Sequence, residues 1–246
     1  MLVPYVDRTY ITVGPHMTGA NGNYYVGLHE YRDMAFVLHY LRPDDLFVDV
    51  GANVGSYSIL ASGVVGANSI AFEPVPSTVA RLIVNLDANE IRKIVSVQLA
   101  CVSAEVGQAQ FTIDADTVNH IVRSGIETSK TAVVDVTTLD AAISRAPKLI
   151  KIDTEGTDDE VLRGADRVLS TSSPMALIVE APSISVIQWL LSRGFHECRY
   201  DPDSRSIGTV PAMHDQGNRL FIRDTKHAQD RVASARRFSV HGFGTV

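Results

Sequence analysis

Cysteine is nearly absent. Cys101 and Cys198 are the only two in 246 residues, and no CxxC pair or His/Cys ligand spacing occurs. Two isolated thiols exclude a disulfide scaffold and a structural zinc site, and Cys101, inside an apolar run, reads as a small buried residue. Positive charge is not in excess either: 22 Lys and Arg stand against 28 Asp and Glu, a net charge of −6. The broad basic face that a nucleic-acid partner requires is therefore not expected. No run approaches the ~18 apolar residues of a membrane helix, and "MLVPYVDRTYITVG" lacks the basic start and long apolar stretch of a signal peptide. These absences point to a reducing, cytoplasmic setting with no nucleic acid and no membrane span. They leave the oligomeric state open.

What is present is enough apolar material, 45% of residues, for one large core. After residues 1–28, which show no clean period, apolar positions Met34, Val37, Leu38 and Leu41 predict a helix over 30–41. Pro43 then ends it. From there strand-like runs alternate with helical ones. The strand runs are "LFVDV" (46–50), "SIAFE" (69–73), "VSVQLAC" (95–101), "LIKID" (149–153) and "MALIVE" (175–180). Helices are expected over 55–63, 76–89, 157–170 and 183–193. This alternation predicts an α/β fold, a doubly wound and mainly parallel sheet with helices on both faces. The last two strand candidates, "FHECRY" and "NRLFIRD", have no helix between them, which permits an antiparallel edge strand. The organisation reads as an N-terminal cap and helix (1–42), a central α/β unit (43–224) and a basic tail (225–246). The tail carries Lys226, Arg231, Arg236 and Arg237 with little apolar period and is expected to be a solvated or partner-docked extension.

The exit of the first strand, "VDVGANVG", is where an open α/β sheet presents its ligand crevice. Gly51 and Gly55 offer positions without a Cβ, so chain and ligand can approach closely. A dinucleotide fingerprint places glycine at three positions, which here hold Gly51, Asn53 and Ser56. Two of the three are missing, so a nicotinamide-dependent oxidoreductase is the weaker reading. Asp49 and Asn53 offer hydrogen bonds to a ligand carrying a cation and an amino acid group. Glu73 ends the second strand in "AFEPVP", where a carboxylate can hold both ribose hydroxyls of an adenosine. Pro74 and Pro76 fix the turn behind it.

Taken in order, "DLFVDVGANVGSYSIL", "AFEPVPSTVARLIVNLDAN", "TTLDAAISRAPKLIKIDTEGTDDEVLRGADRVL" and "ALIVEAP" resemble the FkbM family of S-adenosylmethionine-dependent methyltransferases over roughly residues 25–224. The resemblance implies a class I methyltransferase, a Rossmann-like fold whose seven-stranded, mostly parallel sheet runs 3-2-1-4-5-7-6 with strand 7 antiparallel. It implies S-adenosyl-L-methionine as cofactor and methylation of a hydroxyl on a small-molecule or glycan acceptor. Asp49, Gly51, Ala52, Asn53, Gly55, Glu73, Pro74 and Asp153 are then the cofactor-binding candidates. One departure stands out: where the family commonly continues its Lys-Ile-Asp with an aliphatic residue and Glu-Gly-Ala-Glu, this chain reads "DTEGTDDE". The second acid has moved to Asp158 or Asp159.

A hydroxyl acceptor loses a proton during transfer, so a carboxylate at the end of the fourth strand is useful as a base. Asp153 is the first catalytic candidate and Glu155 the second. If the chain stays extended, the period of two puts Lys151, Asp153 and Glu155 on one face. Lys151 is expected to pair with an acid or reach solvent. Asp153, Glu155 and Asp158 form a candidate oxygen set for Mg²⁺, although no metal is assigned. His29, Glu30, Asn119, His120 and Glu180 are further candidates for the crevice, and Tyr24, Tyr25 and Tyr31 for a clamp on a ring. A donor-binding module without catalysis is the remaining alternative.

Overall fold

The computed structural model describes residues 1–15, 17–112, 130–210 and 217–246. Asn119 and His120 lie outside the described residues. The central sheet is built from β1 (Leu46–Val50), β2 (Asn68–Phe72), β3 (Val95–Gln98), β4 (Leu149–Ile152), β5 (Ala176–Glu180), β6 (His196–Asp201), β7 (Ser206–Thr209) and β8 (Asn218–Ile222). All five residues of β1 and all four of β4 are buried, because helices cover both faces and no side of these strands meets water.

The spatial order is β3-β2-β1-β4-β5-β8-β6-β7. β1 pairs parallel with β2 and β4, and β5 pairs parallel with β4. The count departs from the implied seven strands: β7 adds an eighth, antiparallel to β6 at the sheet margin. The helix-free connection does not leave β8 at the edge; apart from the added β7, the order is the 3-2-1-4-5-7-6 that the resemblance implies. β8 is antiparallel to both β5 and β6 and lies between them, and its Leu220, Phe221 and Ile222 are buried.

The helices are α1 (Thr18–Val26), α2 (Tyr31–Tyr40), α3 (Ser56–Ser58), α4 (Pro76–Ala88), α5 (Leu139–Ala142), α6 (Asp158–Arg163), α7 (Asp166–Leu169), α8 (Ile184–Ser192) and α9 (Thr225–Ala233). α3 continues as a π-helical stretch, Ile59–Val65, up to a left-handed Gly66. Strand alternation sends Phe47, Leu149, Ala176 and Ile178 to one face, under α2, the π-helical stretch and α9. Val48, Val50, Ile150, Ile152, Leu177 and Val179 go to the other, under α6, α7 and α8. α4 seats Leu82 and Leu86 against Ala52, Ala71 and Val95 beside the first turn. After β3 the expected strand breaks, and Cys101–Val102 starts a separate three-stranded sheet with Gly107–Thr112 and Thr131–Thr137. Cys101 is buried there.

The basic tail is not a solvated extension. α9 buries Ala228 and Val232, an i, i+4 pair on one side of an otherwise polar helix, and Phe238, Val240 and Val246 join the core. Arg231 pairs with Asp45 and lies 5.2 Å from the centre of the Tyr40 ring, so the cations that suggest a solvated segment pin it down instead. Among the described residues no helix is long and apolar enough to cross a membrane.

Candidate functional site

The turn after β1 is held from both neighbouring strands. Gly51 N and Ala52 N donate to Phe72 O of β2, at 3.1 and 2.9 Å. Gly51 has φ +74°, and a Cβ built on it falls 1.8 Å from the carbonyl oxygen of Asp153. Gly55 has φ +88°, and its Cβ falls 2.3 Å from Leu82 Cδ1. The two glycines thus make room for protein atoms, a strand end and a helix side chain. Asn53, also left-handed at φ +49°, accepts from Val54 N through its own Oδ1 at 2.7 Å.

Glu73 joins this turn to the one after β2. Its Oε2 accepts from Asn53 N and its Oε1 from Val75 N, both at 3.0 Å. Only 7% of Glu73 is exposed, and burial pushes its carboxyl up to about 7 against the pull of those two amides. A carboxylate offers about four lone-pair sites, so two remain for hydroxyl donors. Asp49 sits deeper: Ser58 Oγ donates to Oδ2 at 2.7 Å, while Oδ1 has no partner among the described residues. Burial raises its pKa, and Lys151 opposes that shift.

These turns open onto a cavity of about 280 Å³, near the lower end for ligand sites. Gly51, Ala52, Asn53, Glu73, Pro74, Asp153 and Glu155 line it, as do the softer candidates His29, Glu30 and Glu180. Asp49 and Gly55 do not. One wall is apolar, with Phe72, Ala100, Cys101, Val102 and Phe111.

Another part of the lining is acidic. Lys151, 3% exposed, donates from Nζ to Asp153 Oδ2 at 2.8 Å and lies 4.8 Å from the centre of the Tyr57 ring. Burial alone pulls the Lys151 ammonium down, yet Asp153, Asp49 and Glu30 together hold it above its ordinary range. Burial pushes Asp153 up, but the charge and hydrogen bond of Lys151, with a hydrogen bond from Glu180, leave it below the usual carboxylate range. Lys151 and Asp153 share a face, as the period of two predicts. Glu155 does not follow that period: β4 stops at Ile152, and Glu155 (φ +52°) and Gly156 (φ +94°) turn the chain. Glu155 reaches the cavity from this turn.

The candidate Mg²⁺ set is not assembled as expected. Asp158 caps its own loop, accepting from Thr154 N at 3.2 Å. The carboxylates that converge, with oxygens within 4.8 Å of one another, are Asp153, Glu155 and Glu180. These acids are half-buried, and Asp153 is already neutralised by Lys151, so no metal is assigned.

Two residues escaped sequence reading. Tyr57 OH donates to Glu30 Oε2 at 2.9 Å, and Asn218 Nδ2 donates to Glu30 Oε1 at 2.8 Å and to Asp33 Oδ2 at 3.0 Å. These contacts tie α2, α3 and β8 together across up to 188 positions, which no local pattern records. The tyrosine clamp does not form: among the described residues, Tyr24, Tyr25 and Tyr31 are absent from the cavity lining. Tyr25 is 72% exposed, and Tyr31 OH donates to Asp203 Oδ1 at 2.9 Å.

Comparison with known proteins adds three findings. Residues 49–199 match the Methyltransferase FkbM domain. Over 136 residues the chain is 30% identical to the hexuronic acid methyltransferase AglP of Haloferax volcanii, a match covering 55% of this chain and 56% of that protein. The chain thus spans about half the length of this curated relative. The crystal structure of methyltransferase FkbM from Methylobacillus flagellatus KT matches with a TM-score of 0.53 at 18% identity, over 86% of this chain and 56% of that one. At that identity the likeness shows a common fold.

Proposed function

The chain belongs to the FkbM methyltransferase family, and from that premise we propose that it transfers a methyl group from S-adenosyl-L-methionine to an oxygen of a small-molecule or glycan acceptor. Residues 43–224 would form the donor-binding unit, and residues 1–42 would add acceptor walls through His29 and Glu30. A relative named for a hexuronic acid supports the glycan side of this reading.

The observation that carries the proposal is the placement of Glu73. Its buried carboxylate bridges the two turns at the cavity floor and keeps acceptor capacity for a ribose diol. The rest of the lining fits the same donor. The apolar wall suits a purine. Asp153 and Glu180 suit a sulfonium cation, with Asp153 assigned beside the transferring methyl and Glu155 at the rim as the weaker catalytic candidate. Gly51, Ala52, Asn53 and Pro74 supply the backbone around the donor, and Asp49 and Gly55 support that loop from behind. When bound, the donor supplies an electrophilic methyl group, and the chain's part is to orient it against the acceptor. A nicotinamide dinucleotide suits the cavity poorly. Its pyrophosphate would face Glu30, Glu73, Asp153, Glu155 and Glu180, with Lys151 as the one Lys or Arg of the lining among the described residues, and that cation is already paired.

Calorimetric titration with S-adenosylmethionine, S-adenosylhomocysteine and NAD tests the reading; binding of NAD alone would overturn it. Glu73→Ala is expected to weaken S-adenosylhomocysteine binding by about 10²-fold, the loss of two hydrogen bonds to a charged group. The pH dependence has a definite sign. Ribose hydroxyls donate to the ionised form, and Glu73 ionises only near pH 7. Affinity is therefore expected to rise with pH to a plateau above about 7 and to fall up to about tenfold per unit below it. This dependence should disappear in Glu73→Ala; an unchanged profile would remove the ribose assignment.

A further inference from the structure

Three carboxylates meet at the ends of β4 and β5, and their surroundings divide the work between them. Asp153 is held by Lys151 Nζ at 2.8 Å, so one of its oxygens already carries an ammonium. Glu155 stands on a left-handed turn. Glu180 ends β5, where Ala176 and Ile178 fix the strand's alternation onto the face shared with Leu149. That alternation brings Glu180 to the same side as Lys151 and Asp153. It lines the cavity and hydrogen-bonds Asp153. The charged groups facing it are Asp153 with its Lys151 partner on β4, Glu155 in the following loop and Asp158 at the start of α6. On β8 its register partner is the neutral Asn218, itself bound to Glu30 and Asp33.

We infer that Glu180 takes the proton of the acceptor hydroxyl, and that the acceptor oxygen is therefore a neutral alcohol, such as a sugar hydroxyl, and not a carboxylate. This rests on the methyl-transfer reading above and deepens it. In the step assigned here, the acceptor oxygen bonds to the methyl carbon while the carbon–sulfur bond breaks and its electron pair stays on sulfur. Glu180 acts in its ionised form, after the proton it otherwise donates to Asp153 has left to solvent; the hydroxyl proton then passes to the Glu180 carboxylate and leaves later to solvent. The sulfonium's positive charge is thus balanced by the proton released. A carboxylate acceptor has no proton to give, and it would have to enter a cavity already lined by Glu30, Glu73, Asp153, Glu155 and Glu180.

The electrostatics agree with this division. Burial, then the charges of Asp153 and Glu155, raise Glu180 to about 8, close to the pH at which a base both ionises and holds a proton well. Asp153, kept ionised by Lys151, is left to orient and to balance the sulfonium. This moves the base from Asp153, the first candidate on sequence grounds, to its neighbour one strand away.

The experiment compares the parent protein with Glu180→Gln and Glu180→Asp. S-adenosylhomocysteine affinity comes first: values within about threefold of the parent show that the donor site is intact. The affinity of S-adenosylmethionine relative to S-adenosylhomocysteine is then followed from about pH 6 to 9. It is expected to rise through about 8 in the parent and to stay flat in Glu180→Gln, because the ionised carboxylate attracts only the cationic donor. Transfer of a tritiated methyl group is measured with methyl hexopyranosides and hexuronic acids as acceptors. The product should be an alkali-stable ether, with transfer falling by about 10²-fold or more in Glu180→Gln and partly restored in Glu180→Asp. Methyl released as methanol by mild alkali would mark an ester and overturn the inference, as would a Glu180→Gln protein that keeps the parental rate and pH profile. Failure of the parent to bind S-adenosylhomocysteine would instead count against the donor reading itself.

Discussion

Gly51→Ala is expected to abolish S-adenosylhomocysteine binding and to lower stability by about 4 kcal/mol or more, among the largest effects a single methyl group can have. Two costs add. Left-handed backbone at φ +74° costs an L-residue about 1–2 kcal/mol. The new Cβ also lies 1.8 Å from the Asp153 carbonyl oxygen, an overlap that rotamer changes cannot relieve because both partners are backbone. That carbonyl cannot retreat cheaply, since Asp153 N donates to Val50 O at 3.1 Å and β1 and β4 are locked in parallel register. Relief therefore comes only from separating the two strand ends that shape the cavity floor. Gly55→Ala is the internal comparison. Its Cβ meets Leu82 Cδ1, the far end of a side chain that can rotate, so its loss should be distinctly smaller. Urea denaturation and ligand titration of both variants check the order, and a Gly51→Ala protein that binds like the parent would show that the turn relaxes freely.

Lys151→Met is expected to cost about 3–5 kcal/mol near pH 8, the range for removing one partner of a buried ion pair. Methionine fills the space but leaves Asp153 without its cation and fully buried Asp49 without the positive charge that opposes its desolvation. The pH dependence follows from those shifts. Asp153 is depressed in the folded parent, so its contribution is present above its unfolded value and fades as pH falls through the folded one. Without Lys151 both acids ionise at higher pH, and protonating them relieves the strain. The gap between parent and variant should therefore be widest near pH 8 and narrow toward about pH 4. Denaturation curves across that range decide it; a gap that does not change with pH would mean that Lys151 acts through packing against Tyr57 alone.

Much of this architecture is legible in local pattern. "LFVDV", "LIKID" and "MALIVE" read as strands because a parallel sheet covered on both faces needs unbroken apolar runs. Glu73 is legible because Pro74 and Pro76, on either side of Val75, flag the turn that follows it and so place the acid at a strand end. The antiparallel strand β8 is a different case: "NRLFIRD" announces a strand but not its place between β5 and β6, since pairing order is set by contacts far apart in the chain. The tail misleads for a related reason. Its arginines look solvated until Arg231 finds Asp45 and the Tyr40 ring.

At the site the boundary falls between residue type and residue role. Sequence by itself determined the α/β alternation, the glycine turn, Glu73 and the acids after β4, because strand period, turn chemistry and charge are local properties. Only the tertiary structure decided how the surroundings of those acids differ. The 2.8 Å pairing of Lys151 with Asp153, the left-handed turn that redirects Glu155 and the arrival of Glu180 from the adjacent strand are consequences of register and backbone direction. Desolvation and neighbouring charge then separate carboxylates that are chemically alike, and both depend on what lies within a few ångströms in space.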